Sequence, residues 1–101
     1  MPTIVFTYSP AEGLSLEEFR KFLVEVDGPA TLSIPSAKSI RLLLVVDDES
    51  PFKIIELLEV TSIEDWKNDT TVPSPEVKRV LDLWPQYGNV SGMKIYNCVE
   101  F

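Results

Sequence analysis

The chain has 101 residues, 45% of them hydrophobic and 25% charged, with a formal net charge of −7. That length predicts one domain over residues 1–101, and the negative balance argues against nucleic acid or an anionic membrane as a partner. Histidine is absent, which removes imidazole acid–base catalysis, Ser-His and Cys-His nucleophilic sites, histidine-held metals and a proximal haem histidine.

Residues 3–8 (TIVFTY) are β-branched and aromatic and predict a strand. Ile4, Phe6 and Tyr8 share one face of it; Thr3, Val5 and Thr7 share the other. The opening MPTIVFTYSP has no positive region ahead of its apolar residues, so a secretory signal is not expected. Ser15 then offers an N-cap, with Glu18 as its capping-box partner. Leu16, Phe19, Phe22, Leu23 and Val26 recur at helical spacing. Asp27-Gly28-Pro29 is expected to stop that helix, and residues 30–37, broken by Pro35, to be irregular.

Residues 39–47 (SIRLLLVVD) predict a second strand. Ile40, Leu42, Leu44 and Val46 lie on one face, Arg41, Leu43 and Val45 on the other, so both faces are largely apolar. The longest apolar run, 42–46, is far short of a membrane span. Residues 47–51 (DDESP) form an acidic turn. Neighbouring carboxylates cannot all turn inward to one ion, so a solvated hairpin loop is expected, with no metal.

Residues 52–61 (FKIIELLEVT) predict a third strand. Glu56 sits among apolar neighbours on its own face. A carboxyl there must reach solvent, pair with a residue such as Arg41 on the next strand, or be desolvated. Desolvation would raise its pKa and make it an acid or base. Ser62, with Asp65, caps a second helix carrying Ile63 and Trp66. Pro73 and Pro75 break the chain, and Ser74-Pro75 restart it as N-cap and first helical residue. Val77, Val80, Leu81 and Trp84 form the next stripe, and Pro85 and Gly88 are expected to end it. Residues 92–101 (GMKIYNCVEF) predict the last strand, which carries the single cysteine, Cys98. One thiol allows no internal disulfide and fits a reducing cytoplasm.

The order is β-α-β-β-α-β, with the second helical region split in two. This is an α+β pattern, the ferredoxin-like split βαβ, with a four-stranded antiparallel sheet and the helices on one face. A monomer would leave Leu43, Val45, Ile55 and Leu57, or the alternate set on the other face, in water. A homodimer is therefore expected, its two sheets stacked face to face as a shared barrel.

The run Glu56-Leu57-Leu58-Glu59-Val60-Thr61-Ser62-Ile63-Glu64-Asp65-Trp66 resembles a motif of small dimeric α+β barrel proteins, where a strand ending in Glu-Val hands over to a short helix carrying a Trp. With the Ser74-Pro75-Glu76-Val77 opening and the Leu83-Trp84 close, the chain is similar to the RedY-like HapK/PigK family, found with prodiginine biosynthesis genes. The resemblance covers most of the chain and is specific over about residues 56–87; none of its motifs is a catalytic signature.

It implies a part in making prodigiosin, in the branch that builds the methoxy-bipyrrole carbaldehyde, and the lone cysteine places that part in the cytoplasm. The protein would be either an accessory binding protein or a small enzyme acting on a pyrrole intermediate, alongside other enzymes of the pathway. An alternative is a cofactor-free monooxygenase or cyclase of the same superfamily acting on an aromatic or indole substrate. A third is a structural interaction module. No cofactor is expected. Superfamily members that degrade haem or use oxygen commonly rely on a histidine, which this chain lacks.

A ligand in such a fold would sit between the helices and the sheet, or in the barrel. Tyr8, Glu56, Trp66, Trp84, Tyr87, Tyr96 and Cys98 are the candidates to line it. Glu56 would accept a pyrrole N–H or act as general acid or base, and the aromatic residues would form the walls. Core packing is the competing role for both tryptophans. Tyr8 and Tyr96 are expected to be adjacent, on paired first and last strands, with ordinary sheet packing as their alternative role. Cys98 lacks an imidazole base and reads as an idle thiol.

Overall fold

A computed structural model describes residues 1–101. Strand β1, Thr3–Tyr8, leads through a loop to helix α1, Leu16–Phe22. A π-helical turn, Leu23–Asp27, then continues into α2, Gly28–Leu32. Strands β2, Ala37–Leu44, and β3, Ile54–Val60, form a hairpin. Helices α3, Ile63–Thr71, and α4, Pro75–Tyr87, precede a short 3-10 turn and the last strand β4, Lys94–Cys98. The sheet order is β2-β3-β1-β4 with every pair antiparallel, so the fold is α+β and ferredoxin-like.

The helix starts follow their caps. Ser15, Ser62 and Ser74 each accept a hydrogen bond from the backbone N–H three residues on, at Glu18, Asp65 and Val77. The helix ends differ from expectation. Asp27-Gly28-Pro29 does not terminate the first helical region. Gly28 N–H bonds the carbonyl of Leu23, five residues back. That wider turn lets Pro29, which has no N–H, enter α2 in its first turn, where a donor is not needed. Pro85 likewise lies inside α4. The bond it forfeits falls in the last turn, and Gly88 N–H still closes onto the carbonyl of Trp84.

Register sorts the sheet residues by face. Phe6 lies opposite Glu56 and Ile95, and Glu56 lies opposite Leu42. One residue along, Val5 lies opposite Leu57 and Tyr96, and Leu57 opposite Arg41. The first set faces the helices, and the second faces away from them. Burial in β3 alternates accordingly, with Ile54, Glu56, Leu58 and Val60 buried and the residues between them partly open.

The core under the helices forms two clusters. Tyr8, Phe19, Phe22, Ile54, Val80 and Trp84 belong to one, and Ile4, Ile34, Leu58 and Val60 to the other. On β3 the first cluster ends at Ile54 and the second begins at Leu58. Glu56 lies between them, on the same face.

Candidate functional site

A cavity of about 360 Å³ opens where the two clusters fail to merge. Its floor is the helix-facing side of the sheet, with Phe6, Tyr8, Glu56 and Ile95. Its roof is α3 and α4, with Trp66, Val77, Leu81 and Trp84. Asp27, Thr31 and Ile34 close one side, and Val90 and Met93 another. The lining is mostly apolar and carries two carboxyl groups and no Lys or Arg.

Glu56 is only 4% exposed. The Tyr8 hydroxyl donates to its Oε1 at 2.5 Å, a short hydrogen bond between buried groups. Burial pushes the Glu56 carboxyl up to about 7, the Tyr8 bond pulls it down, and the nearby Asp27 charge pushes it up further. Burial beside Glu56 also raises the Tyr8 hydroxyl well above its ordinary value. Asp27 sits on the π-helical turn and accepts from Trp84 Nε1 at 2.9 Å. Burial raises its carboxyl, and the Trp84 bond partly offsets the rise. A carboxyl that loses its proton near neutrality in a mostly apolar cavity can both take and give a proton at physiological pH.

Trp84 is the central ring of the first cluster. Tyr8, Phe19 and Phe22 meet it edge to face, with centroids at 5.0, 5.7 and 6.1 Å. It therefore serves as core and as cavity wall at once. Trp66 is half-buried, packs against the second cluster and also lines the cavity.

The structure brings Tyr8, Glu56, Trp66 and Trp84 together and leaves the other candidates out. Tyr96 lies opposite Val5, on the sheet face turned away from the helices, and is 53% exposed. It is not adjacent to Tyr8: their strands do pair, but the two side chains stand on opposite faces. Cys98, two residues on, shares the face of Tyr96 and is exposed. Tyr87 stacks flat on Phe22 at 4.1 Å and does not line the cavity. Arg41 does not pair with Glu56, because its register neighbour is Leu57 on the outer face. Sequence reasoning missed Asp27. A charged residue four positions after Leu23 continues the buried stripe, a signal hidden by reading Gly28-Pro29 as a helix stop.

The family model described as REDY-like protein HapK matches residues 2–96. This chain belongs to the REDY-like HapK family. The crystal structure of HapK from Hahella chejuensis superposes with a TM-score of 0.75 at 13% identity, covering 98% of this chain and 93% of that one. Protein At3g17210 from Arabidopsis thaliana gives 0.77 at 15% identity, covering 100% and 96%. A dimeric ferredoxin-like protein of unknown function from Jannaschia sp. gives 0.71 at 12%, covering 98% of each chain. At these identities the likeness is one of fold. No curated protein matches the chain in sequence. No helix is long and apolar enough to cross a membrane.

Proposed function

We propose that this member of the HapK family binds a flat pyrrole intermediate of prodigiosin synthesis, in the methoxy-bipyrrole carbaldehyde branch. It acts there in the cytoplasm, as an accessory protein to the pathway's other enzymes or through a modest acid–base step. The observation that carries this reading is the apolar cavity with a single buried, tyrosine-held carboxyl at its floor. Its volume lies within the range of small-molecule sites. Aromatic edges at Trp66 and Trp84 suit a planar ring, and Glu56 Oε2, which receives no protein donor, suits a pyrrole N–H.

Titrating the bipyrrole aldehyde while following tryptophan fluorescence tests the site directly. Micromolar, saturable quenching is expected; a flat titration would leave only an interaction module. A second reading, a cofactor-free oxygenase or cyclase acting on an aromatic or indole substrate, draws on the Glu56 carboxyl being held near neutrality. If that carboxyl moves a proton, Glu56→Gln lowers pigment yield in cells by about a hundredfold. If it only binds, the yield falls far less, and an unchanged yield ends the catalytic role.

The protein acts as a homodimer. Val5, Leu43, Ile55, Leu57 and Tyr96 share the sheet face that no helix covers. Leu43 and Tyr96 are 39% and 53% exposed on a single chain. A second sheet stacked on this face removes them from water. Tyr96 then belongs to the subunit interface. Light scattering at micromolar concentration should give twice the chain mass, and Leu57→Asp should give one chain mass. A monomeric wild type would refute the dimer.

A further inference from the structure

The cavity holds an asymmetry of charge that pyrrole binding alone does not require. Asp27 and Glu56 line it, and no Lys or Arg does. Neither carboxyl has an ion-pair partner, since the chain's one salt bridge joins Lys78 to Asp82 on the surface of α4. Each is held by one neutral ring donor, Tyr8 on Glu56 Oε1 and Trp84 on Asp27 Oδ1. The second oxygen of each, Glu56 Oε2 and Asp27 Oδ2, receives no donor from the protein. Two ring donors thus fix the two carboxyls in place, and two acceptor atoms are left over in a mostly apolar space. Both atoms are reachable from the cavity, where a ligand N–H can meet them in place of water.

We infer that the cavity selects a cation built on a flat heteroaromatic ring, whose N–H donors reach Glu56 Oε2 and Asp27 Oδ2, and rejects anions built on the same ring. This rests on the ligand-site reading above and adds the charge of the ligand and the role of Asp27 to it. An anion would be desolvated beside two carboxyls with no cation to meet it. A cation supplies the missing countercharge. The titratable groups facing Glu56 are Tyr8 on β1 and Asp27 on the π-helical turn; α3, α4 and β4 bring none to the cavity. Because the Glu56 carboxyl loses its proton near neutrality, cation binding strengthens as pH rises through that range.

Three indoles of matched shape test this: tryptamine as cation, 3-methylindole as neutral compound and indole-3-acetate as anion. Binding to isotope-labelled protein is followed by the indole N–H resonance of Trp84, which reports on the Asp27 bond. Tryptamine should bind at least about tenfold more tightly than indole-3-acetate near pH 8, with 3-methylindole between them. The gap should narrow towards pH 6. Asp27→Asn and Glu56→Gln should each narrow it near pH 8. The pH series on the wild type stands by itself if a variant fails to fold. Binding of all three probes with equal affinity, or a preference for the anion, overturns the inference and leaves the ligand site standing. Binding of none overturns both.

Discussion

Between about pH 5 and pH 8 the unliganded protein is expected to lose about 3 kcal/mol of stability through Glu56 alone. Folded Glu56 holds its proton up to about 7, against an ordinary value of 4.5. In the window between those values the folded state binds more protons than the unfolded chain, so stability falls as pH rises. Below the window both states are protonated, and above it both are ionised and the loss is complete. Asp27, raised by burial as well, adds a loss of the same sign.

Glu56→Gln removes the titration and keeps an acceptor for the Tyr8 hydroxyl. The variant should match wild type within about 1 kcal/mol near pH 5 and exceed it near pH 8, raising Tm there by roughly 10–20 °C. Thermal unfolding of both proteins at three pH values and one protein concentration reads the difference, with subunit association held constant. Parallel curves for the two proteins would mean that the carboxyl is solvated in the fold. A bound cation should recover much of the loss, because it stabilises the ionised carboxyl that folding penalises.

The same carboxyl shows how far sequence alone reaches. Glu56 stood out because period-two alternation placed it among Ile54, Leu58 and Val60, and the fold puts it on that buried face. What alternation could not supply was its partner. Tyr8 lies 48 residues away, and the register that carries Phe6 opposite Glu56 sets their meeting. Alternation also separates Tyr8 from Tyr96: their strands pair as the topology requires, but pairing alone does not fix which face a residue takes. Helix starts were legible because a serine cap acts over three residues. Helix ends were not, because whether Gly28-Pro29 stops or continues a helix depends on the π-helical turn before it. That turn carries Asp27 into the cavity, so the misread helix end and the missed acid have one cause. That both faces of β2 and β3 are apolar was legible, but which face lies outermost, with Leu43, Ile55 and Leu57, was set by the register.

Gly88→Ala is expected to destabilise the fold by about 3 kcal/mol and to abolish ligand binding. The backbone at Gly88 is extended, with φ −118° and ψ 152°, so any residue could adopt it. The constraint is the Trp84 ring: a Cβ there would come to 1.9 Å from Cζ3 and 2.4 Å from Cε3 of the indole. The ring has nowhere to retreat, because Tyr8, Phe19 and Phe22 hold it edge to face and Asp27 holds its Nε1. Turning it aside breaks that hydrogen bond, strips Asp27 of its donor and collapses one wall of the cavity. Gly92→Ala is the control, because the added methyl would come no closer than 3.2 Å, to the amide nitrogen of the exposed Asn89 side chain, which need give only a few tenths of an ångström. Urea titration should show Gly92→Ala near wild type and Gly88→Ala far below it, with the near-ultraviolet signal of the buried indole altered in the latter. Trp84→Phe alone should also weaken the fold, but in that background the smaller ring leaves room for the methyl. Adding Gly88→Ala there should cost less than half of what it costs beside the native Trp84, a coupling expected only if methyl and indole compete for one space. Equal costs in both backgrounds would show that Gly88 is required by its backbone instead.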